Sequence, residues 1–318
     1  MISYIIIGRN EGWKLDLCFK SIKKSIEENS YIASEVIYVD SASTDNSIEI
    51  ARSHQFVKTY KLTADYNAPI ARNVGARVSK GSILFFIDGD MEIEPNFLKN
   101  VINKNGDLCY GFIGGYYRGK YYNKEWNFLY EKQFPPAKKI TIDHFEAFTG
   151  GLFLIKKELW DKVNGMKPYL TGGADPELAI RLAKIGVFKL WINKPMATHH
   201  TINRKRTGKI KHYLKRRNLT GYVLVYRENL TSKYALKRLY RSMYMSLYLV
   251  ITSIATIFYA NILPWAIFLY LLATIIKSWI KFRNVSQVFL LIFKDIIFIL
   301  GFVFYWPNKK TEVEYVQI

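Results

Sequence analysis

A chain of 318 residues, half of them hydrophobic and 16% aromatic, has ample apolar material for the core of one large or two modest domains, which excludes a disordered chain. Its 46 lysines and arginines against 26 acids give a net charge of +20 and call for an anionic partner. Thirteen of those cations and one acid, Glu228, fall between Arg204 and Arg241, directly before the most apolar stretch, so the expected partner is an anionic membrane lipid and no nucleic acid is expected. Cys18 and Cys109 lack any CxxC or Cys/His spacing, which excludes a disulfide framework and a zinc site; both read as buried small apolar residues.

In chain order, the apolar run at 2–7 predicts a buried strand. It is too short for a signal peptide and leads into Arg9-Asn10-Glu11 instead of a cleavage site, so the first domain is expected to stay in the cytosol. Leu15, Cys18, Phe19, Ile22 and Ile26 follow at helical spacing. A strand at 35–39 and a helix at about 46–52, entered through Ser43-Thr44-Asp45, form a second unit. A third strand at 57–61 precedes a helix from Pro69 to about Gly81, and the apolar strand 82–87 closes the series. Alternating strands and helices predict an α/β domain with a mainly parallel sheet, whose ligands bind at the carboxyl ends of the strands. Apolar runs at 108–117, 152–155 and 187–192, with helices at 158–163 and 176–184, read as a mixed continuation of the same domain.

No charged residue occurs from Ser242 to Ile276. As a single helix this stretch would be about 52 Å long against a hydrocarbon core of about 30 Å, so Asn261-Ile262-Leu263-Pro264 is read as the break of a membrane hairpin. Basic residues flank both outer ends, which places both ends in the cytosol. The stretch 285–306 carries Lys294 and Asp295 at its centre and is expected to be an interfacial or re-entrant helix. The organisation expected is a catalytic domain at 1–202, a basic amphipathic connector at 203–241, the membrane elements at 242–306 and a polar tail at 307–318.

At the end of the fourth strand stands Asp88-Gly89-Asp90, two carboxylates separated by a glycine. Mg²⁺ and Mn²⁺ favour oxygen ligands shared with substrate phosphates, so this pair suits a metal–diphosphate site, although Asp-Gly is also a common turn. Ile7-Gly8-Arg9-Asn10-Glu11, Val39-Asp40-Ser41-Ala42-Ser43-Thr44-Asp45 and Ala71-Arg72-Asn73-Val74-Gly75 precede it in order. Over residues 1–200 this ordered set resembles the family 2 glycosyltransferases of GT-A fold. The resemblance implies a Rossmann-like, mainly parallel catalytic domain, here followed by C-terminal membrane helices. It implies a nucleotide-sugar donor of UDP or GDP type, Mg²⁺ or Mn²⁺, and inversion at the anomeric carbon.

Carried onto this sequence, the resemblance puts Gly8, Arg9, Asn10 and Glu11 around the nucleotide, Asp40 on its base, and Arg72 near the phosphates or the metal-site carboxylates. Asp90 is the expected metal ligand, with Asp88 nearer the ribose or behind the metal, and either His199 or His200 as a further ligand. Thr149-Gly150-Gly151 resembles an acceptor-side loop. Asp175 occupies the position of the catalytic base, with Ala174 where the family has a first acid and Glu177 as the substitute base on the acceptor side. Arg204 and Arg206 are candidates for neutralising the diphosphate. The acceptor expected is a lipid-linked or nascent surface glycan at the cytoplasmic membrane, the alternatives being a polyprenyl phosphate or a non-catalytic role in a glycan-assembly complex.

Overall fold

The computed structural model describes residues 1–134, 143–203, 218–283 and 285–318. They fall into two compact units, one of residues 1–205 with 309–318 and one of residues 206–308.

The first unit opens with β1 (Ile2–Gly8), whose every residue is buried, as the apolar run requires. Helix α1 (Trp13–Glu28) covers it with Leu15, Cys18, Phe19 and Ile22. β2 (Ser34–Asp40), α2 (Ser47–Ser53), β3 (Val57–Leu62), α3 (Ala68–Val78) and β4 (Ile83–Asp88) follow close to the expected bounds, the largest difference being α3, which ends at Val78 instead of near Gly81. Pro69 lies in the first turn of α3, and the Asn67 side chain caps that helix by accepting from the Ile70 N–H at 2.9 Å. The strands β3, β2, β1 and β4 are parallel and adjacent in that order, so the chain reverses direction across the sheet between β1 and β4. Such a switch point leaves a crevice at the carboxyl ends of the two strands, where Gly8 and Asp88 lie.

Beyond β4 the sheet turns mixed. β5 (Met91–Ile93), β6 (Phe112–Tyr122), β7 (Phe128–Phe134), β8 (His144–Glu146), β9 (Phe153–Lys156) and the 14-residue β10 (Lys189–Ile202) extend it, with α4 (Lys157–Lys162) and α5 (Ala174–Lys184) between β9 and β10. β10 runs parallel to β6 and antiparallel to β5 and β8. The sheet at 108–117 begins later than the apolar run suggested, at Phe112, and this corrects the reading of Cys109: it lies in the preceding loop and is exposed, whereas Cys18 is buried. The residues read as a polar tail contribute β11 (Tyr315–Gln317), which adds antiparallel to β3 and makes the outermost strand.

The second unit is helical: α6 (Asn218–Arg227), α7 (Lys233–Phe258), α8 (Leu263–Phe282) and α9 (Val288–Phe304). α7 runs through the expected boundary at 241/242, with a kink at Met243, and a short 3₁₀ turn at Ala260–Ile262 makes the expected hairpin break. Segments Lys233–Phe258 and Ala260–Ile280 are long and apolar enough to cross a membrane. Asp295 is buried in this unit and accepts from Ser246 Oγ at 2.7 Å and Tyr270 OH at 3.0 Å, one residue on each of α7 and α8. Arg227 donates to the carbonyls of Phe302 (3.1 Å) and Tyr305 (2.7 Å), which satisfies the C-terminal end of α9.

Candidate active site

The crevice between β1 and β4 is built from loops that hold one another. Asn10 takes a left-handed backbone (φ 58°), which asparagine tolerates. Its N–H donates to Ser43 Oγ at 3.0 Å, and its side-chain oxygen accepts from the Thr44 N–H at 2.8 Å. The N–H groups of Glu11 and Gly12 donate to Ser47 Oγ, which itself donates to Asp45 at 2.6 Å. Asp40, fully buried at the end of β2, accepts from Tyr38 OH at 3.0 Å and the Ser43 N–H at 2.8 Å. Arg9 reaches outward and lies over the exposed Tyr66 ring, 4.2 Å from its centroid.

Arg72 organises the centre. Its position on α3 points the side chain to the sheet, where it is 4% exposed. Nη2 donates to Asp88 Oδ1 at 2.6 Å and Nη1 to Asp175 Oδ1 at 3.2 Å, so one guanidinium joins the end of β4 to the start of α5. Gly151 backs onto this junction, and its carbonyl lies 3.5 Å from Nη2. Gly150, by contrast, has open space around it.

Asp175 is 32% exposed at the crevice and enclosed by protein elsewhere. Burial raises its pKa, the Arg72 charge pulls it back, and Asp88 adds to the rise. The buried Lys189, 2.8 Å from Glu146 and over the Trp191 ring, lowers the Asp175 pKa slightly from the other side. Glu177 stands apart from the crevice. It is 0% exposed and ion-paired with Lys167 at 2.9 Å and with Arg181 at 2.7 Å.

Asp90, Glu11 and His199 form the second cluster. β10 pairs with β5 so that His199 faces Met91, and this brings His199 Nε2 to 3.0 Å from Asp90 Oδ2. Burial works against the Asp90 charge, but the His199 bond and charge outweigh it and hold its carboxyl below the usual range. Burial likewise opposes the imidazolium of His199, and the Asp90 bond and charge raise its pKa. Glu11 is pushed up by burial and by Asp90, with Lys14 paired to it in opposition. His200 turns the other way, as the next residue of a strand must, and bonds Glu92 and Tyr122 OH (2.7 Å).

Asp90 Oδ1 is buried without a hydrogen-bond partner, which suits an oxygen reserved for a cation. Among the described residues no three acids, histidines or cysteines converge on one metal position. Mg²⁺ and Mn²⁺ draw part of their shell from substrate phosphate, so a two-carboxylate site fits them. Arg204 and Arg206 lie outside the described residues.

Sequence reasoning did not single out Lys14, Lys189 or the cluster in which Trp13 meets Tyr122, Trp126 and His200 edge to face. Lys189 and the aromatic groups meet their partners through long-range pairing, which no local spacing announces, whereas Lys14 pairs with Glu11 only three residues away.

A sequence profile described as Glycosyl transferase family 2 matches residues 3–167. An uncharacterised glycosyltransferase of Haemophilus influenzae is 28% identical over 217 residues, 65% of this chain and 70% of that protein. The poly(ribitol-phosphate) beta-N-acetylglucosaminyltransferase TarP of Staphylococcus aureus is 28% identical over 172 residues, and the chain spans only half of its length. Among solved structures, the mannosyltransferase PcManGT of Pyrobaculum calidifontis, in complex with GDP-Man and Mn²⁺, aligns with a TM-score of 0.60 at 18% identity, covering 96% of this chain and 88% of that one. TarS 1–349 of S. aureus in complex with UDP-GlcNAc aligns at 0.50 and 14% identity, over 73% of this chain and 67% of that one. The architecture is thus the GT-A fold of these structures.

Proposed function

The chain belongs to glycosyl transferase family 2, and from that premise we propose that it transfers a sugar from a UDP- or GDP-linked donor to an acceptor hydroxyl, with inversion and with a divalent metal. The observation that carries this reading is the Arg72 bridge, 2.6 Å to Asp88 and 3.2 Å to Asp175, which ties a carboxylate on the donor side to one suited to proton removal.

Asp175 takes the proton of the acceptor hydroxyl as that oxygen bonds to the anomeric carbon, while the bond from that carbon to the diphosphate breaks and its electron pair leaves with the diphosphate. A base with a raised pKa accepts the proton more readily, and Arg72 keeps Asp175 ionised and oriented. Asp88 and Asp90 would hold Mg²⁺ or Mn²⁺, which when bound stabilises charge on the departing diphosphate. The loop Gly8–Glu11 and Asp40 form the nucleotide side, and Arg9 with Tyr66 offers a flat cationic and aromatic wall for a base. The proposed setting is the cytoplasmic face of a membrane. The helical unit supports it, because Ile251, Ile257, Phe258, Trp265, Ile280 and Phe289 expose large apolar side chains. The proposed acceptor is therefore a lipid-linked or nascent surface glycan.

The test is nucleotide binding by the detergent-purified protein, with UDP, GDP, CMP and ADP compared in Mn²⁺ and after chelation. One nucleotide is expected to bind only with metal and to be lost in Asp90→Ala. Binding of none would remove the catalytic reading. Mass spectrometry of the product then separates a glycosidic link from a phosphodiester to a lipid phosphate.

A further inference from the structure

The hairpin of β6 and β7 carries its aromatic residues in register. Tyr117, Gly119 and Tyr121 of β6 pair with Phe134, Lys132 and Tyr130 of β7, and partners across a ladder share a face. The rings stack across the strands, Tyr117 on Phe134 with centroids 5.2 Å apart and Tyr121 on Tyr130 at 4.7 Å. Gly119 lets the two pairs merge into one surface. A Cβ there would lie 3.0 Å from Tyr121 Cε2, so the Tyr121 ring leans over the glycine between the pairs. The outer rings stay open to solvent, Tyr130 at 42% and Phe134 at 51%.

The inner end of this row is the crevice. Tyr117 meets the His199 ring edge-on at 5.8 Å, and His199 holds Asp90 at 3.0 Å. From Tyr117 to Tyr121 the strand advances about 13 Å, more than the width of one sugar ring. A pyranose has an apolar face of C–H groups and a rim of hydroxyls. It can lie on an aromatic ring while its rim bonds to tyrosine hydroxyls and to a cation such as Lys132. A bilayer or a second copy of the chain would be matched better by uninterrupted apolar side chains.

We propose that the Tyr117–Phe134 and Tyr121–Tyr130 pairs form an acceptor platform, which binds successive rings of a saccharide chain and leads its end into the crevice at His199 and Asp90. The inference rests on the glycosyltransferase reading and adds to it that the acceptor is a preformed oligosaccharide rather than a lone lipid phosphate.

The test uses the full chain in a detergent without a sugar headgroup, titrated with chitohexaose, maltohexaose and laminarihexaose and followed by saturation-transfer NMR. At least one hexasaccharide is expected to bind. The double variant Tyr130→Ala/Phe134→Ala, at two exposed positions, should weaken it by about tenfold. Tyr130→Phe keeps the ring and loses one rim hydroxyl, so it should bind far closer to the parent than the double variant does. No binding of any hexasaccharide, or equal binding by the double variant, overturns the proposal. So does a double variant that loses only its hold on phosphatidylglycerol vesicles or only its self-association. Mn²⁺-dependent nucleotide binding on the same samples separates the two readings. Loss of the platform leaves it intact, whereas its absence in the parent protein removes the donor reading whatever the saccharides do.

Discussion

Gly151 stands against Arg72 with no room for a side chain: a methyl group there would fall inside van der Waals contact of Nη2 and 2.7 Å from Asp88 Oδ2. The atoms it would strike are the ends of side chains, which can swing aside, so the backbone need not move. Gly151→Ala is therefore expected to cut turnover by about 100-fold through displacement of the Arg72 bridge, while the melting temperature stays within a few degrees of the parent's. Steady-state kinetics beside a thermal melt check both halves. A large loss of stability would mean that the loop, and not the bridge, had yielded.

Asp175→Asn removes the proton acceptor and should lower transfer by about 10²- to 10⁴-fold with nucleotide affinity retained. In the parent protein the rate should climb as pH rises through the Asp175 pKa, which burial sets above the ordinary carboxylate range. Arg72 lowers that pKa, so Arg72→Met should move the acid limb of kcat/KM to higher pH. A limb that stays in place would show that another group titrates.

Glu177 lies fully buried between Lys167 and Arg181, and Arg181 in turn donates to the carbonyl of Gly165 at 2.7 Å. Glu177→Gln removes the buried carboxylate charge that pairs with both cations and should cost about 3 kcal/mol or more of stability. At low temperature the variant should still bind nucleotide. Urea unfolding followed by fluorescence measures the first, and a binding titration the second.

Asp295 joins three helices, because Ser246 on α7 and Tyr270 on α8 both donate to a carboxylate on α9. Asp295→Ala should weaken the helical unit by about 1–2 kcal/mol, and Asp295→Asn, which keeps one acceptor oxygen, by less. Thermal unfolding in detergent, read by circular dichroism, should rank the three proteins in that order.

The parallel half of the sheet was legible because its strands are short apolar runs punctuated by helix-start residues, and each unit closes on itself within about 30 residues. Asp88 and Asp90 could be placed at a strand terminus for the same reason. The choice between His199 and His200 could not be made. Neighbours on a strand face opposite sides, and only the register of β10 on β5 decides which one turns toward Asp90. Glu177 reads as a substitute base on the first turn of α5; helical spacing offers Arg181 as a partner four residues on, but Lys167 lies outside the helix and no periodicity links it to Glu177. Lys189 and Glu146 are drawn together by the pairing of β10 with β8, which a sequence with many short strands does not specify.

The last strand, β11, changes what counts as the catalytic domain. Its antiparallel ladder covers β3, and Glu312 and Asp65 exchange hydrogen bonds just beyond it. A fragment ending at residue 203 would contain every candidate catalytic residue described and yet leave β3 as a raw sheet edge, a template for sticking to other chains. A soluble enzyme made from this protein should therefore carry residues 309–318 back to that edge, for example by grafting them through a short flexible linker, so that the fragment is defined by its fold and not by one contiguous stretch of sequence.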